Sequence, residues 1–258
     1  MTIPAVRAPS RLPEPPTTDL EAALFLDVDG TLLEIAPRSD LVQVAPGLPR
    51  LLGGLAEERS GAVALISGRP LAELDRLFRP WRGAAAGIHG SERRRADGSL
   101  DYRADPDAVA ALDLIRPRLA ALARAGNSLV FEDKQRSLAL HYRAAPERGD
   151  EILAVAAALQ REAGPALRLI CGKMVVEFQP HGADKGAAIA AFMAEPPFLG
   201  RSAVFVGDDA TDEDGFAEIE RRGGIAIRVG PPAGTRAGYG LPSVASVLAW
   251  LARSRQLD

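Results

Sequence analysis

The sequence predicts an α/β protein, in which helices cover both faces of a parallel sheet and a smaller α/β domain is inserted. Short, continuous apolar runs alternate with stretches of helical periodicity, which indicates strands that are buried on both faces. Residues 137–143 and 173–180 instead alternate polar and apolar side chains, which is typical of a sheet with one open face. Acidic residues follow two of the apolar runs, and this points to a ligand crevice at the strand ends.

The predicted core strands and helices follow one another along the chain. The predicted strands span residues 22–28, 62–67, 83–88, 203–206 and 225–229. The predicted helices span residues 47–58, 71–78, 185–193, 213–221 and 244–252. Because each strand leads into a helix, a parallel sheet with crossover helices is the expected arrangement.

The middle of the chain predicts a second domain. Two helical segments, 107–123 and 150–163, accompany the alternating strands there. We therefore divide the chain into a core of residues 20–104 and 182–258 and an inserted cap of residues 105–181. Residues 1–19 are rich in proline and weakly periodic, so we expect a disordered leader.

Composition limits the classes of partner. The chain has 258 residues and a formal net charge of −3, which argues against nucleic acid or an anionic membrane as partner. No apolar run reaches the ~20 residues of a membrane helix, and the N-terminus does not read as a secretory signal. The single cysteine, Cys171, fits a reducing compartment and is predicted to be buried. We expect a cytoplasmic monomer.

The stretch "LFLDVDGT" places Asp27 and Asp29 at the end of an apolar run. Side chains two apart on a strand point the same way, so the two carboxylates would repel each other without a cation or proton between them. Mg²⁺ is a hard cation that takes oxygen ligands. The alternative is a strand-end turn in which Asp bonds to its own backbone.

Three further segments carry polar residues at predicted strand or helix ends. Ser67 in "SGR" could hold a phosphate oxygen, or cap the following helix. Lys185 in "DKG" starts a helix, where the helix dipole disfavours a lysine, although a solvated lysine is the alternative. Asp208 in "GDD" ends a strand, whereas the helix dipole by itself explains acids at residues 212–214.

The four motifs "DVDGT", "SGR", "DKG" and "GDD", in this order, resemble those of the haloacid dehalogenase-like superfamily. The resemblance implies a Rossmann-like core with a mobile cap and chemistry through an aspartyl phosphate on Mg²⁺. It implies that Asp27 is the nucleophile and that Asp29 is the general acid and then the base. Ser67 and Lys185 would hold the phosphoryl oxygens.

The same resemblance implies a metal site and a phosphate site. Asp27, the backbone carbonyl of Asp29 and Asp208 would ligate Mg²⁺, with Asp209 and Asp212 in its outer surroundings. The phosphate site would include Asp27, Asp29 and Ser67, together with Val28, Gly68 and Arg69.

Longer segments, including "LFLDVDGTLLEIAPRSD", "GIHGSERR", "FEDKQRSLALHYR" and "GKMVVEFQPHGADKG", resemble trehalose-6-phosphate phosphatases. The resemblance implies Mg²⁺-dependent hydrolysis of trehalose 6-phosphate to trehalose and phosphate. Acids and bases on the open face of the cap suit sugar hydroxyls. The residues expected to bind the sugar are His89, Glu132, Lys134, His141, Arg143, Lys173 and Glu177.

The sequence is also compatible with three other interpretations. The polar face of the cap could be a solvated surface whose ion pairs contribute little. The substrate could be another sugar phosphate, such as sucrose 6-phosphate. A protein of a different class, a catalytically silent sugar-phosphate sensor, would not need the nucleophile Asp27.

Overall fold

The computed structural model describes residues 11–36, 41–102, 105–125, 128–172, 174–232 and 234–255. In these ranges the chain forms two sheets and their covering helices. The strands are β1 (Ala23–Leu26), β2 (Val63–Ile66), β3 (Ala84–Gly87), β4 (Glu92–Arg94), β5 (Leu100–Tyr102), β6 (Val130–Asp133), β7 (Leu138–His141), β8 (Leu167–Gly172), β9 (Val175–Pro180), β10 (Ala203–Gly207), β11 (Ile225–Val229) and β12 (Tyr239–Leu241). The α-helices are α1 (Leu48–Glu58), α2 (Leu71–Leu77), α3 (Pro106–Ala125), α4 (Gly149–Ala163), α5 (Lys185–Phe192), α6 (Glu213–Arg221) and α7 (Val244–Arg253).

The larger sheet has the strand order β12-β11-β10-β1-β2-β3-β4-β5. The strands from β12 to β3 run parallel, and β4 and β5 add an antiparallel edge. The predicted α/β class, its five core strands and its core helices are confirmed. The strands β4, β5 and β12 were not predicted, because three-residue strands show too little alternation to be recognised.

The strand β1 shows why the larger sheet is buried on both faces. Leu24 and Leu26 point to one side, where they join α1, α2 and α7 in one apolar cluster. Ala23 and Phe25 point to the other side, towards α5 and α6. All four side chains are fully buried, which explains the absence of polar alternation in this strand.

The smaller sheet is antiparallel, with the strand order β6-β7-β9-β8. One of its faces packs on α3 and α4 through a third apolar cluster, which includes Leu138, Leu140, Val176 and Phe178. The other face carries Glu132 and Glu177, since both pair with Ala139 in the strand register. We call this second unit the cap.

The expectation of a disordered leader is wrong for residues 11–18, whereas residues 1–10 lie outside the described residues. The indole of Trp250 in α7 donates to the carbonyl of Pro16 at 3.0 Å. The backbone of Gly240 in β12 donates to the carbonyl of Pro13 at 2.9 Å. Prolines lack a backbone donor but keep their acceptor, so this segment binds α7 and the edge strand β12 through its carbonyl groups.

No helix in the described ranges is long and apolar enough to cross a membrane.

Candidate active site

The order of the larger sheet places two of the predicted acids side by side. From β1 the chain continues to β2 and β3 on one side and later to β10 and β11 on the other, so the order reverses next to β1. Such a reversal opens a crevice beyond the carboxyl ends of the strands. Asp27 follows β1 and Asp208 follows β10, so both acids lie at this crevice.

Three carboxylates form an acid cluster, which comprises Asp27, Asp208 and Asp212. One oxygen of each lies within 4.8 Å of the others. Two glycines leave room for this approach, because a Cβ on Gly30 would lie 2.2 Å from Asp208 Oδ2 and one on Gly207 would lie 2.3 Å from Asp212 Cγ. Gly30 also has a φ of +82°, a conformation that favours glycine.

Lys185 neutralises part of the acid cluster. Its buried Nζ lies 2.6 Å from Asp27 Oδ1 and 2.6 Å from Asp212 Oδ1. The helix α5 places it there because Asp184 caps the helix, accepting from the backbone of Ala187 at 2.7 Å. A Cβ on Gly186 would lie 2.4 Å from the carbonyl of Asp214, so this glycine allows α5 to approach α6 closely.

The acid cluster remains short of positive charge. Burial raises the pKa of Asp27 well above its usual range, and Asp212 and Asp208 raise it further against the opposing effect of Lys185. Burial and Asp212 raise the pKa of Asp208 to about 7. In the described part of the chain the second oxygen of Asp27, Oδ2, has no hydrogen-bond partner. Oxygen ligands, an orphaned buried carboxylate oxygen and excess negative charge fit a metal ion.

The side chain of Asp29 lies outside the acid cluster. Arg69 holds it in a bidentate pair, with Nε 2.7 Å from Oδ2 and Nη2 2.6 Å from Oδ1. The same guanidinium contacts Glu73 one helical turn further on. The pair with Arg69 therefore directs the Asp29 carboxylate away from the acid cluster.

The loop after β2 carries Ser67, Gly68 and Arg69. Ser67 is buried, and its Oγ accepts from the backbone N–H of Arg69 at 3.1 Å. A Cβ on Gly68 would lie 2.6 Å from His89 Nε2, so a side chain at this position would require the imidazole ring to shift. The side chain of Val28 is fully buried, so only its backbone is available to a ligand.

A charged cluster on the cap faces this loop. Glu177 in β9 accepts from Ser137 Oγ at 2.8 Å and Lys134 Nζ at 3.2 Å, and its other oxygen lies 3.5 Å from His89 Nε2. Burial alone would raise the pKa of Glu177, but Lys134 and His89 outweigh it and hold the pKa well below its usual range. Burial would lower the pKa of Lys134, but Glu177 and Glu132 outweigh it and raise the pKa.

The remaining predicted sugar residues lie further out. His141 Nε2 lies 3.0 Å from Glu132 Oε2, and a hydrogen bond from His141 lowers the pKa of this acid. Arg143 is exposed beyond the end of β7. Lys173 lies outside the described residues.

Some positions differ from what the sequence suggested. Asp212 is more than a favourable acid at a helix start: its Oδ2 accepts from the backbone N–H groups of Asp208 at 2.9 Å and Asp209 at 2.8 Å. The spacing "GDDATD" was the signal, because a short turn folds the third acid back onto the first two. Ser137 contacts Glu177, and Glu73 contacts Arg69. No pattern in the neighbouring sequence indicated either contact.

Cys171 is exposed, so the prediction of a buried thiol is wrong.

The fold is of the haloacid dehalogenase-like class. A haloacid dehalogenase-like hydrolase from Bacteroides thetaiotaomicron has a similar structure, with a TM-score of 0.63 at 16% identity over 90% of this chain and 98% of that one. The C-terminal domain of trehalose-6-phosphate phosphatase from C. albicans matches with a TM-score of 0.83 at 19% identity, over 97% of this chain and 100% of that one. At these identities the likeness concerns the fold.

The sequence assigns the family. The pattern that defines the trehalose-phosphatase family matches residues 25–241, and the chain belongs to this family. A trehalose-6-phosphate phosphatase of Escherichia coli is 43% identical over 93% of this chain and 89% of its own length. A probable trehalose-phosphate phosphatase of Sinorhizobium fredii is 44% identical over 84% of this chain and 81% of its own length.

Proposed function

We propose that this chain is a trehalose-phosphatase that hydrolyses trehalose 6-phosphate to trehalose and inorganic phosphate with Mg²⁺, within trehalose biosynthesis. The observation that carries the proposal is the buried acid cluster with Lys185, at the crevice of a trehalose-phosphatase family member. A cytoplasmic location and a monomeric state stay predictions.

Asp27 is the proposed nucleophile. Lys185 holds Oδ1 of this buried carboxylate, and Oδ2 has no partner in the described part of the chain. One oxygen of the carboxylate would attack phosphorus. The new Asp27–phosphorus bond forms as the ester bond to the sugar oxygen breaks, which yields an aspartyl phosphate. Attack of water on the same phosphorus then releases inorganic phosphate and restores the Asp27 carboxylate.

Asp29 is the proposed proton carrier. It would donate a proton to the departing sugar oxygen in the first step and accept one from the attacking water in the second. Its bidentate pair with Arg69 fixes the direction of this carboxyl group, and part of that pair must give way whenever Asp29 turns towards a reacting oxygen. Arg69 keeps a second acidic partner in Glu73, so it is not left unpaired by that movement.

Mg²⁺ is the proposed cation. Asp27, Asp208 and the backbone carbonyl of Asp29 would hold it, and Asp212 and Asp209 would support that set through hydrogen bonds or water. When bound, the cation would offset the repulsion between carboxylates and a phosphate dianion. Lys185 would also contact a phosphoryl oxygen, as would Ser67 and the backbone around Val28 and Gly68.

The cap is the proposed source of substrate preference. Its charged face lies opposite the loop of Ser67, Gly68 and Arg69, so a sugar phosphate held by that loop would present hydroxyls to the cap. Paired carboxylate and ammonium groups suit hydroxyls, which both donate and accept hydrogen bonds. The proposed contacts are His89, Glu132, Lys134, His141, Arg143, Lys173 and Glu177.

A sugar-phosphate panel tests the substrate. We expect phosphate release from trehalose 6-phosphate to exceed that from sucrose 6-phosphate and glucose 6-phosphate by orders of magnitude in kcat/KM. Comparable rates on glucose 6-phosphate would contradict the proposal, and a preference for sucrose 6-phosphate would support the alternative substrate.

A substitution at the nucleophile separates the enzyme from a silent sensor. We expect Asp27→Asn to abolish turnover while trehalose 6-phosphate still binds in calorimetry. The matched control is Asp113→Asn in α3, whose side chain is 62% exposed and for which we expect unchanged rates. If the unsubstituted protein with Mg²⁺ binds the sugar phosphate but releases no phosphate, the hypothesis of a silent sensor replaces that of an enzyme.

A further inference from the structure

His89 lies in a strained turn between the core and the cap. It belongs to the short 3₁₀ turn Ile88–Gly90 that follows β3. Ile88 has a φ of +45° and His89 a φ of +52°, and such values are unfavourable for side chains other than glycine, above all for a β-branched residue. A backbone of this kind persists only where its surroundings hold it, and it concentrates at functional sites.

Two backbone hydrogen bonds tie this turn to the loop of Ser67, Gly68 and Arg69. The N–H of Ile88 donates to the carbonyl of Arg69 at 3.1 Å, and the N–H of His89 donates to the carbonyl of Ser67 at 2.9 Å. A displacement of the turn would therefore displace the loop carbonyls. Since Gly68 lies between these two carbonyls, its own peptide would move with them.

The imidazole ring fills the space between that loop and the cap. On the loop side, a Cβ on Gly68 would lie 2.6 Å from His89 Nε2 and 2.8 Å from its Cε1. On the cap side, Nε2 lies 3.5 Å from Glu177 Oε2. The side chain of His89 is 7% exposed, and in the described part of the chain its Nδ1 has no partner. Gly68 on the loop side and Glu177 on the cap side therefore fix the position of the imidazole ring.

The neighbours of Glu177 belong to the cap. Ser137 and Lys134 hold the other oxygen of this carboxylate, so its direction depends on β9 and on the turn before β7. Burial lowers the pKa of His89, against the opposing effect of Glu177, so a neutral ring that donates from Nε2 fits the contact.

We propose that His89 is a positioning residue that transmits the position of the cap strand β9 to the phosphate-binding loop of Ser67, Gly68 and Arg69. It acts through Glu177 on one side and through the peptide of Gly68 on the other. The loop is well ordered only while the cap is docked, which links recognition of the sugar to the order of the phosphate site. The catalytic consequence rests on the proposed function, but the coupling itself does not.

Amide hydrogen exchange of the ligand-free protein tests the coupling without any assumption about substrate. We expect Glu177→Gln, a change in the cap, to raise exchange in a peptide covering residues 67–69 several-fold. His89→Ala should raise it about tenfold, the size of one lost hydrogen bond to a charged group. The double variant should exchange no faster than His89→Ala, and His89→Gln should restore most of the protection.

A matched control lies elsewhere on the cap. Glu162→Gln in α4 removes one carboxylate that pairs with Arg118 on the outer surface of the cap, and it should leave exchange at residues 67–69 unchanged. The coupling is wrong if Glu177→Gln leaves this peptide unchanged, or if the two single effects add in the double variant. Either result would make His89 a purely local part of the core.

Gly68→Ala provides an independent test should His89→Ala fold poorly. The added methyl group collides with the ring, so it should raise exchange in the loop and weaken inhibition by inorganic phosphate. In the Gly68→Ala/His89→Ala variant the collision is gone, and we expect a smaller effect than from Gly68→Ala alone. An undiminished effect would show that the ring does not occupy this space. If the exchange results hold but the unsubstituted protein releases no phosphate from trehalose 6-phosphate, the proposed function fails and the coupling stands.

Discussion

Removal of the Lys185 charge tests the electrostatic balance of the acid cluster. Lys185→Met keeps most of the buried methylene chain and deletes one ammonium group. The change leaves Asp27, Asp208 and Asp212 within 4.8 Å of one another without their bound counter-charge. In EDTA we therefore expect a large loss of stability, and we expect Mg²⁺ to restore part of it.

The size of the expected loss in the free energy of unfolding follows from the contact distances and the burial of Lys185. Each of the two contacts of Lys185 is 2.6 Å long, and the lysine side chain is 3% exposed. At an effective dielectric constant of ~20, one such contact corresponds to about 6 kcal/mol of gross attraction, most of which desolvation offsets. Removing one partner of a buried pair costs about 3–5 kcal/mol, because the other charge is left uncompensated. We expect a loss in this range near pH 8.

Urea denaturation with EDTA and with Mg²⁺ measures the effect. The control is Arg221→Met, which removes a cation from a surface pair with Glu218; the arginine is 65% exposed, so we expect a loss of about 1 kcal/mol or less. Lys185→Met/Asp212→Asn should lose less than Lys185→Met alone, because one buried charge goes with the lysine. If Lys185→Met in EDTA loses no more than Arg221→Met, the lysine does not balance the cluster and the reasoning fails.

Three further predictions concern pH, a glycine and the N-terminal segment. In the metal-free protein the pKa of Asp208 is raised to about 7, above its ordinary 3.8. The stability that the protonated Asp208 contributes is therefore present at low pH and is lost as the pH rises through 7. In urea denaturation with EDTA, Asp208→Asn should flatten this dependence of the free energy of unfolding on pH. Gly30→Ala should cost more stability than Gly98→Ala, because both have a positive φ but only the first methyl group would meet a side chain; equal losses would contradict the contact with Asp208. Deletion of residues 1–18 should lower the melting temperature below that of a deletion of residues 1–10, because Trp250 then loses its partner Pro16; equal temperatures would show that this contact does not stabilise the fold.

Local patterns in the sequence predicted the sheet correctly, and they placed Asp27 and Asp208 at the crevice beyond its strand ends. The run from Ala23 to Leu26 is buried on both faces, so its apolar residues are continuous and its strand is readable. Asp27 and Asp208 directly follow such runs, and parallel strands end at the same edge of a sheet. The place of these two acids therefore followed from chain order alone. The segment of residues 11–18 was misjudged, since its partners in α7 and β12 are more than 200 residues away.

The sequence by itself determined the α/β class, the order of the motifs and the pair of acids at the crevice, because backbone periodicity and burial are properties of neighbouring residues. Only the tertiary structure decided which side chains meet. In the tertiary structure the carboxylate of Asp29 pairs with Arg69, and that of Asp212 pairs with Lys185. It also set His89 of the core against Glu177 of the cap. Such partners are chosen by the packing of elements far apart in the chain, and a hydrogen bond or ion pair depends on distances of a few ångströms that sequence spacing does not encode.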